Sequence, residues 1–482
     1  MSRKLKILFV ASEVEPFVKS GGLADVAGSL PQALRQMGHD TRVVLPEYGI
    51  MDDNFKRELE HVINFNTTVV WRNEYVGVNK LDNEGVPTYF IDNKYFFNRP
   101  TMYENDDKEV QFTFFNRAVL EMLPKIDFKP DIIHFNDWQT GIMALLLKDN
   151  YKRYNFYQDI KTVYTIHNLR YQGKFSYKII EDVLGVDHWH WYSGNIRHDG
   201  LVNFMKAGIL YADKITTVSE TYAEEIKNPY YGEGLDYVLR MRDEDLNGIV
   251  NGISYDKFNP ETDSSIYYNY NLENLEGKKK NKLKLQQEMD LPKREGIPLV
   301  GIISRLVEQK GLDLVVAVLE EALYKEDMQF VLLGTGQRKF EEFFREMSLK
   351  YPEKVSTEIK YDAKLAQKIY AGSDMLLMPS RFEPCGLSQL ISMRYGTIPI
   401  VRETGGLNDT VEPYDEFEDR GYGFSFANFN AHDMFYTMRR AFSFYRKKEV
   451  WQKLIKRAMK LDFSWNNSAN KYNDLYQNLM RK

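Results

Sequence analysis

The sequence predicts an α/β protein built from two Rossmann-like domains, each a doubly wound parallel sheet, facing one another across a cleft. Three observations lead there. Short apolar runs of buried-strand length alternate with helix-length polar-apolar stretches, which is the pattern of parallel βαβ units. At 482 residues the chain is too long for one ordinary core, and two domains are expected. The alternation breaks once, where Asn247-Gly-Ile-Val-Asn-Gly-Ile253, then Pro260 and a polar run to about Asn281, separate two series. The expected division is residues 1–247 and 256–462 with a hinge at about 248–255.

The first series opens with Lys6-Ile-Leu-Phe-Val10, a buried strand, followed by Lys19-Ser-Gly-Gly-Leu23 and a helical stretch from Leu30 to Met37. Paired glycines before a helix bring backbone amides close to an anion, and Lys19 adds a mobile charge, so Lys19, Gly21 and Gly22 are candidate contacts of a nucleotide-sugar diphosphate or of glucose. A flexible lid is the other reading of this loop. Val43-Val-Leu45, Tyr89-Phe-Ile91, Ile132-Ile-His-Phe135, Val163-Tyr-Thr-Ile166 and Ile215-Thr-Thr-Val218 continue the series. Two of these strands end in polar clusters, Asn136-Asp137-Trp138 and His167-Asn168, and ligands of such sheets bind outside the carboxyl ends of the strands. Tyr95-Phe-Phe-Asn-Arg-Pro100, Tyr103 and Trp138 offer aromatic faces that suit either glucose rings or core packing. The charged stretch Asn271 to Lys282 reads as a solvated surface.

The second series runs through Leu299-Val-Gly-Ile-Ile303, Phe330-Val-Leu-Leu333, Met375-Leu-Leu-Met378 and Ile398-Pro-Ile-Val401. After its first strand come Arg305 and Lys310, two cations able to neutralise a diphosphate from one side. After the Met375 run comes Arg381-Phe-Glu-Pro-Cys-Gly-Leu-Ser388, which sets one carboxylate, Glu383, beside the backbone of Cys385, Gly386 and Leu387 at a helix start. Glu403-Thr-Gly-Gly-Leu407 repeats paired glycines after a strand, making Thr404, Gly405 and Gly406 a second phosphate-facing turn. Gly334-Thr-Gly336 lacks the third glycine of a dinucleotide fingerprint, lysine standing at 339, and this counts against NAD.

Composition narrows the function. A net charge of −5 argues against a nucleic-acid or anionic-membrane partner. No apolar run reaches the ~18 residues of a membrane span, and no signal-like segment precedes the first strand, so a cytoplasmic enzyme is expected. One cysteine, Cys385, excludes an internal disulfide and a multi-cysteine metal site. The literal Asp-x-Asp match, Asp243-Glu-Asp245, follows Arg240-Met-Arg242 instead of a strand, so no essential metal is expected.

Ser380-Arg-Phe-Glu-Pro-Cys-Gly-Leu387 resembles the signature of bacterial glycogen synthases and plant starch synthases, which are retaining glucosyltransferases of the GT-B fold. The resemblance runs nearly the whole length, through Lys19-Ser-Gly-Gly-Leu23, Thr165-Ile-His-Asn-Leu169, Ser304-Arg-Leu-Val-Glu-Gln-Lys-Gly311 and Glu403-Thr-Gly-Gly-Leu407. It implies transfer of glucose from ADP-glucose to the non-reducing end of glycogen or a maltodextrin, without a cofactor. It also implies Asp137 and His167 near the transferred glucose, Asn251 at an interdomain cleft, Tyr361 near the base, and a final helix, about 463–482, returning to the first domain. Arg305, Lys310 and the glycine amides would stabilise the leaving diphosphate, and Glu383 would orient or electrostatically support the sugar. Covalent attack and same-face return are both open, as are ADP and UDP as the base. A phosphorylase-like enzyme and a non-catalytic glucan binder are the alternatives.

Overall fold

The computed structural model describes residues 3–481. They fall into two compact units: one takes the chain to Val218, Ala223–Gly252 and the segment from Trp465 on, the other Ser219–Tyr222 and Ile253–Ser464.

The first unit holds β1 (Lys6–Val10), β2 (Asp40–Pro46), β3 (Glu60–Val69), β4 (Arg72–Asn83), β5 (Val86–Asp92), β6 (Ile132–Asn136), β7 (Lys161–Ile166), β8 (Lys174–Phe175), β9 (Arg197–His198), β10 (Leu201–Asn203), β11 (Lys214–Thr217) and β12 (Leu246–Gly248). Its main sheet has the order β12-β11-β7-β6-β1-β2-β5-β4-β3. The pairs from β12 to β5 are parallel, while β4 runs antiparallel to both β5 and β3. The β3–β4 hairpin is absent from the sequence expectation for a physical reason. β3 alternates exposed and half-buried residues, so no apolar run marks it. The helix Trp465–Arg481 buries Trp465, Ala469, Tyr472, Tyr476 and Leu479 along one face. Its Tyr476 hydroxyl lies 2.6 Å from His134 Nδ1 on β6, which ties this C-terminal helix to the first sheet.

The second unit holds β13 (Leu299–Ile303), β14 (Gln329–Leu333), β15 (Val355–Glu358), β16 (Met375–Met378), β17 (Ile398–Arg402) and β18 (Phe424–Phe426) in the order β15-β14-β13-β16-β17-β18, all parallel. Read from its first strand, this is the 3-2-1-4-5-6 order of a doubly wound sheet, and the parallel part of the first sheet repeats it with one strand added. In each sheet the direction of winding reverses at the first strand, between β1 and β6 and between β13 and β16. Those are the places where helices diverge and leave room for a ligand.

One expectation is corrected here. The stretch ending at Lys282 is not a solvated surface, because the helix Glu276–Glu288 buries Lys278, Asn281, Lys282, Leu285 and Gln286. Lys282 Nζ reaches Asp374 at 2.7 Å, the Glu295 carbonyl at 3.0 Å and the Tyr445 hydroxyl at 2.8 Å. Lysine stems are long enough to carry the ammonium into a core when oxygens wait there. Lys282→Ala strands Asp374 without its cation, and we expect a loss of about 3–5 kcal/mol, read as a lower urea midpoint at unchanged slope.

Candidate active site

The second unit places its candidates on three adjacent strand ends. The loop after β13 carries Arg305 and Lys310, the loop after β16 carries Glu383 to Leu387, and the turn after β17 carries Thr404 to Gly406. Lys310 Nζ meets Glu383 Oε2 at 2.7 Å, and the Ser380 hydroxyl donates to the same oxygen at 2.9 Å. Glu383 is only 6% exposed, so its second oxygen is the one left to face a ligand. The Arg381 amide donates to the Gln309 carbonyl at 2.9 Å, and Arg402 donates to the Arg381 carbonyl at 2.6 Å, which fixes the loop from both sides.

Arg305 is exposed, and its guanidinium makes no hydrogen bond or ion pair with any described residue. The N–H groups of Gly386 and Leu387 are likewise uncommitted among the described residues, and Gly386 has φ +71°, a conformation that side chains disfavour. A free guanidinium and two free amides at neighbouring strand ends are a set of donors awaiting an anion. Tyr361 is 81% exposed ahead of the helix Ala363–Gly372 and adds an aromatic face. Cys385 is buried.

Gly405 and Gly406 also set how closely two loops approach. A Cβ on Gly405 would overlap the Glu383 carbonyl and one on Gly406 the Cys385 carbonyl, and the Gly406 amide donates to the carbonyl of Glu383 at 3.1 Å. These glycines let two loops touch. Thr404, fully buried, is the N-cap residue of the helix Gly405–Thr410.

In the first unit the same logic gathers Asp137 and His167 at the ends of β6 and β7. Asp137 adopts φ +56°, and its Oδ1 accepts from the His167 amide at 2.8 Å and the Asn168 amide at 3.5 Å. Asn136 Nδ2 donates to the Val10 carbonyl, which turns its Oδ1 toward His167 Nε2 at 3.0 Å. That contact makes Nε2 the donor and leaves Nδ1 as an acceptor. Burial pushes His167 down to about 3, so the ring is neutral. Asn251 is buried, and its Oδ1 meets no donor among the described residues.

The loop after β1 departs from expectation. Lys19 is not a mobile charge, because its ammonium lies 2.8 Å from Glu15 and 2.5 Å from Asp25. The amides of Ser20 and Gly21 are taken by a residue that the sequence reading passed over, Glu13, whose Oε2 accepts both. Glu13 is 5% exposed, and burial raises its carboxyl above the usual range. Gly22 begins the helix Gly22–Gln36. The missed signal was available: a carboxylate three residues beyond β1, at the carboxyl edge of the sheet. The aromatic stretch is also less open than expected, since Lys94–Phe97 is a short helix with Phe96 and Phe97 buried, and Trp138 is buried against Phe112. Tyr95 remains exposed, and the Tyr103 hydroxyl bonds Ser12 at 2.8 Å.

Asp137 gives a pH prediction. Burial raises its carboxyl to about 7 against the opposing His167 and Asn168 amides, with Glu13 raising it further. The folded state therefore holds a proton that the unfolded state has released. Stability is full below pH about 4 and falls, by at most about 1.4 kcal/mol per pH unit, until pH passes about 7. Asp137→Asn keeps the amide acceptor and removes the charge. We expect it to melt at the wild-type temperature near pH 4 and above it at pH 8.

Among the described residues no three His, Cys, Asp or Glu side chains gather as a metal site, and no helix is long and apolar enough to cross a membrane. In the 243–245 turn, Asp243 pairs with Lys227 and Asp245 with Lys214.

Comparison with known proteins identifies the family. The family model described as "Starch synthase catalytic domain" matches residues 6–241, and that of "Glycosyl transferases group 1" matches residues 284–458. The glycogen synthase of Geobacillus thermodenitrificans is 51% identical over 478 residues, which is 99% of this chain and 98% of that one. That of Desulforamulus reducens is 50% identical over 476 residues, 99% of each. Among solved structures, the catalytic domain of starch synthase IV from Arabidopsis thaliana, bound to ADP and acarbose, is 34% identical with a TM-score of 0.91 and full coverage of both chains. A sucrose-phosphate synthase from Thermosynechococcus elongatus, at 16% identity and TM-score 0.62 over 99% of each chain, shares the fold. With the donor set of Arg305, Lys310 and Glu383 falling inside the matched segments, the chain belongs to the glycogen and starch synthase family and is a glycosyltransferase of the GT-B fold.

Proposed function

We propose that the protein transfers glucose from ADP-glucose to the non-reducing end of an α-1,4-glucan, glycogen or a maltodextrin, with retention at the anomeric carbon. The observation that carries this reading is the uncommitted Arg305 guanidinium beside the free Gly386 and Leu387 amides and the Lys310–Glu383 pair. As the C1–O bond to the diphosphate breaks, negative charge builds on the leaving oxygen, and donors already aimed there lower the barrier without reorganising. Glu383, held by Lys310 and Ser380, supports the positive charge that develops on the sugar. The neutral His167 ring offers its Nδ1 to a sugar hydroxyl, with Asp137 fixing the backbone from which the ring projects. The second unit supplies the donor side and the first unit, with Asp137, His167 and the exposed Tyr95, the acceptor side. The glycogen synthases at about half identity and the ADP in the starch synthase structure support glucose and adenine. The reading carries with it a cytoplasmic enzyme that works without a metal ion.

The test is the nucleotide released when the protein meets glycogen with each sugar donor in turn. ADP released from ADP-glucose, with incorporation into glycogen that survives a chelator, is the expected result. Preference for UDP-glucose overturns the choice of base, activity that dies with chelation and returns with a divalent ion overturns metal independence, and no release from either overturns the reading.

A further inference from the structure

We propose that the second unit carries another ligand site, a pocket for a small organic anion walled by the helices Glu276–Glu288 and Lys448–Lys460. It goes beyond the transfer reaction. The pocket reaches Gly372 to Asp374, just ahead of β16, so it opens at the amino-terminal edge of the sheet whose carboxyl edge carries Glu383.

Three observations meet there. The first is a cavity of about 100 Å³, bounded by Lys278, Lys279, Lys282, Lys448, Asp374 and Trp451. The second is an excess of positive charge within a chain of net charge −5. Lys278 is buried and donates only to uncharged oxygens: the carbonyls of Ala371, Ser373 and Tyr395 at 3.2, 3.1 and 3.0 Å and the Thr397 hydroxyl at 2.8 Å. Lys282 already takes the half-buried carboxylate of Asp374, whose Oδ2 also accepts from the Leu299 amide, and the other carboxylate on the wall, Glu295, is exposed. The third is Lys448, exposed at the rim, whose ammonium has no hydrogen bond or ion pair with any described residue and lies 5.7 Å from the Tyr445 ring centre. Lys279, by contrast, leans on Glu276 at 2.7 Å.

A buried ammonium without a countercharge is costly, and an anion nearby offsets that cost. Burial pushes Lys278 down to about 7, with Asp374 drawing it up and Lys282 pushing it further down. The donors of Lys278 and Lys282 are all engaged, so direct bonds to the ligand fall to Lys448 and Lys279, and the buried pair acts through its field. The rest of the wall joins apolar Trp451, Ile455 and Leu275 to the polar Gln452 and the carboxylate of Glu295, so the apolar part selects a short hydrocarbon body and the lysines, outnumbering Asp374 and Glu295, select its carboxylate or phosphate. A cavity of 100 Å³ is too small for a sugar nucleotide. Lys278 bonds the chain just ahead of both β16 and β17, the strands that deliver Glu383 and Gly405 at their other ends, so occupancy bears on the segment that holds the catalytic loop.

The experiment melts the full chain with ADP saturating throughout, so that the donor site is filled. Pyruvate, glycerol 3-phosphate and inorganic phosphate are titrated against sodium chloride at matched ionic strength. A saturable rise of about 2 °C at roughly ten times the dissociation constant is expected for at least one of the organic anions. It should vanish in a Lys279→Ala, Lys448→Ala double variant whose own melting temperature and transfer rate match the wild type. Lys448→Gln alone gives the same reading should the double variant melt early. A rise with inorganic phosphate alone overturns the requirement for an organic body. No rise beyond that of chloride, or a rise that survives the substitutions, overturns the site.

Discussion

Arg305→Ala is expected to lower kcat/KM for ADP-glucose by about 10²–10³-fold, equivalent to about 3–4 kcal/mol of lost transition-state stabilisation. The size follows from its isolation: an exposed guanidinium with no protein partner has nothing to do but meet a ligand, and its loss leaves no buried group unpaired. The melting temperature should therefore stay within a degree or so of wild type, as for a surface change. Arg305→Lys should recover part of the rate, since an ammonium restores the charge without the two-pronged geometry. Initial rates at varied ADP-glucose, with a melt of each variant, measure all of this. Near-normal turnover in the alanine variant would remove the leaving-group argument.

Glu383→Gln should reduce kcat by about 10²–10⁴-fold while leaving the nucleotide able to bind. The geometry adds a sharper expectation. Lys310 spends its charge on Glu383 at 2.7 Å, and the amide of glutamine cannot balance it, so the ammonium is released to the diphosphate. ADP should then bind several-fold more tightly by calorimetry even as transfer fails. Weaker ADP binding would mean that Lys310 serves only to hold the carboxylate.

Much of the architecture was legible because parallel strands buried on both faces read as unbroken apolar runs. Leu299–Ile303 and Ile132–Phe135 could scarcely be anything else. The β3–β4 hairpin was not legible, since one of its faces meets water and its residues alternate. Strand ends pointed to Asp137, His167, Arg305 and Glu383 because chemistry in such sheets gathers at the carboxyl edge. What the letters could not convey is which partner each polar group chooses. Gly21 and Gly406 look alike as bare amides after a strand, yet Glu13 occupies one and the Glu383 carbonyl the other. Lys278 and Lys282 look like solvated charges, and only the oxygens ahead of β16 and β17 around Lys278, and Asp374 with the Glu295 carbonyl around Lys282, explain their burial.

The contact of Gly405 and Gly406 with the carbonyls of Glu383 and Cys385 limits how this scaffold can diversify. Adding a residue to either turn would prise apart two backbones that meet with no side chain between them, and the acidic group would drift from its place. New sugar or base preferences must therefore arise by swapping side chains around an invariant frame, in the manner of interchangeable bits on one drill, and not by reshaping the peptide path itself.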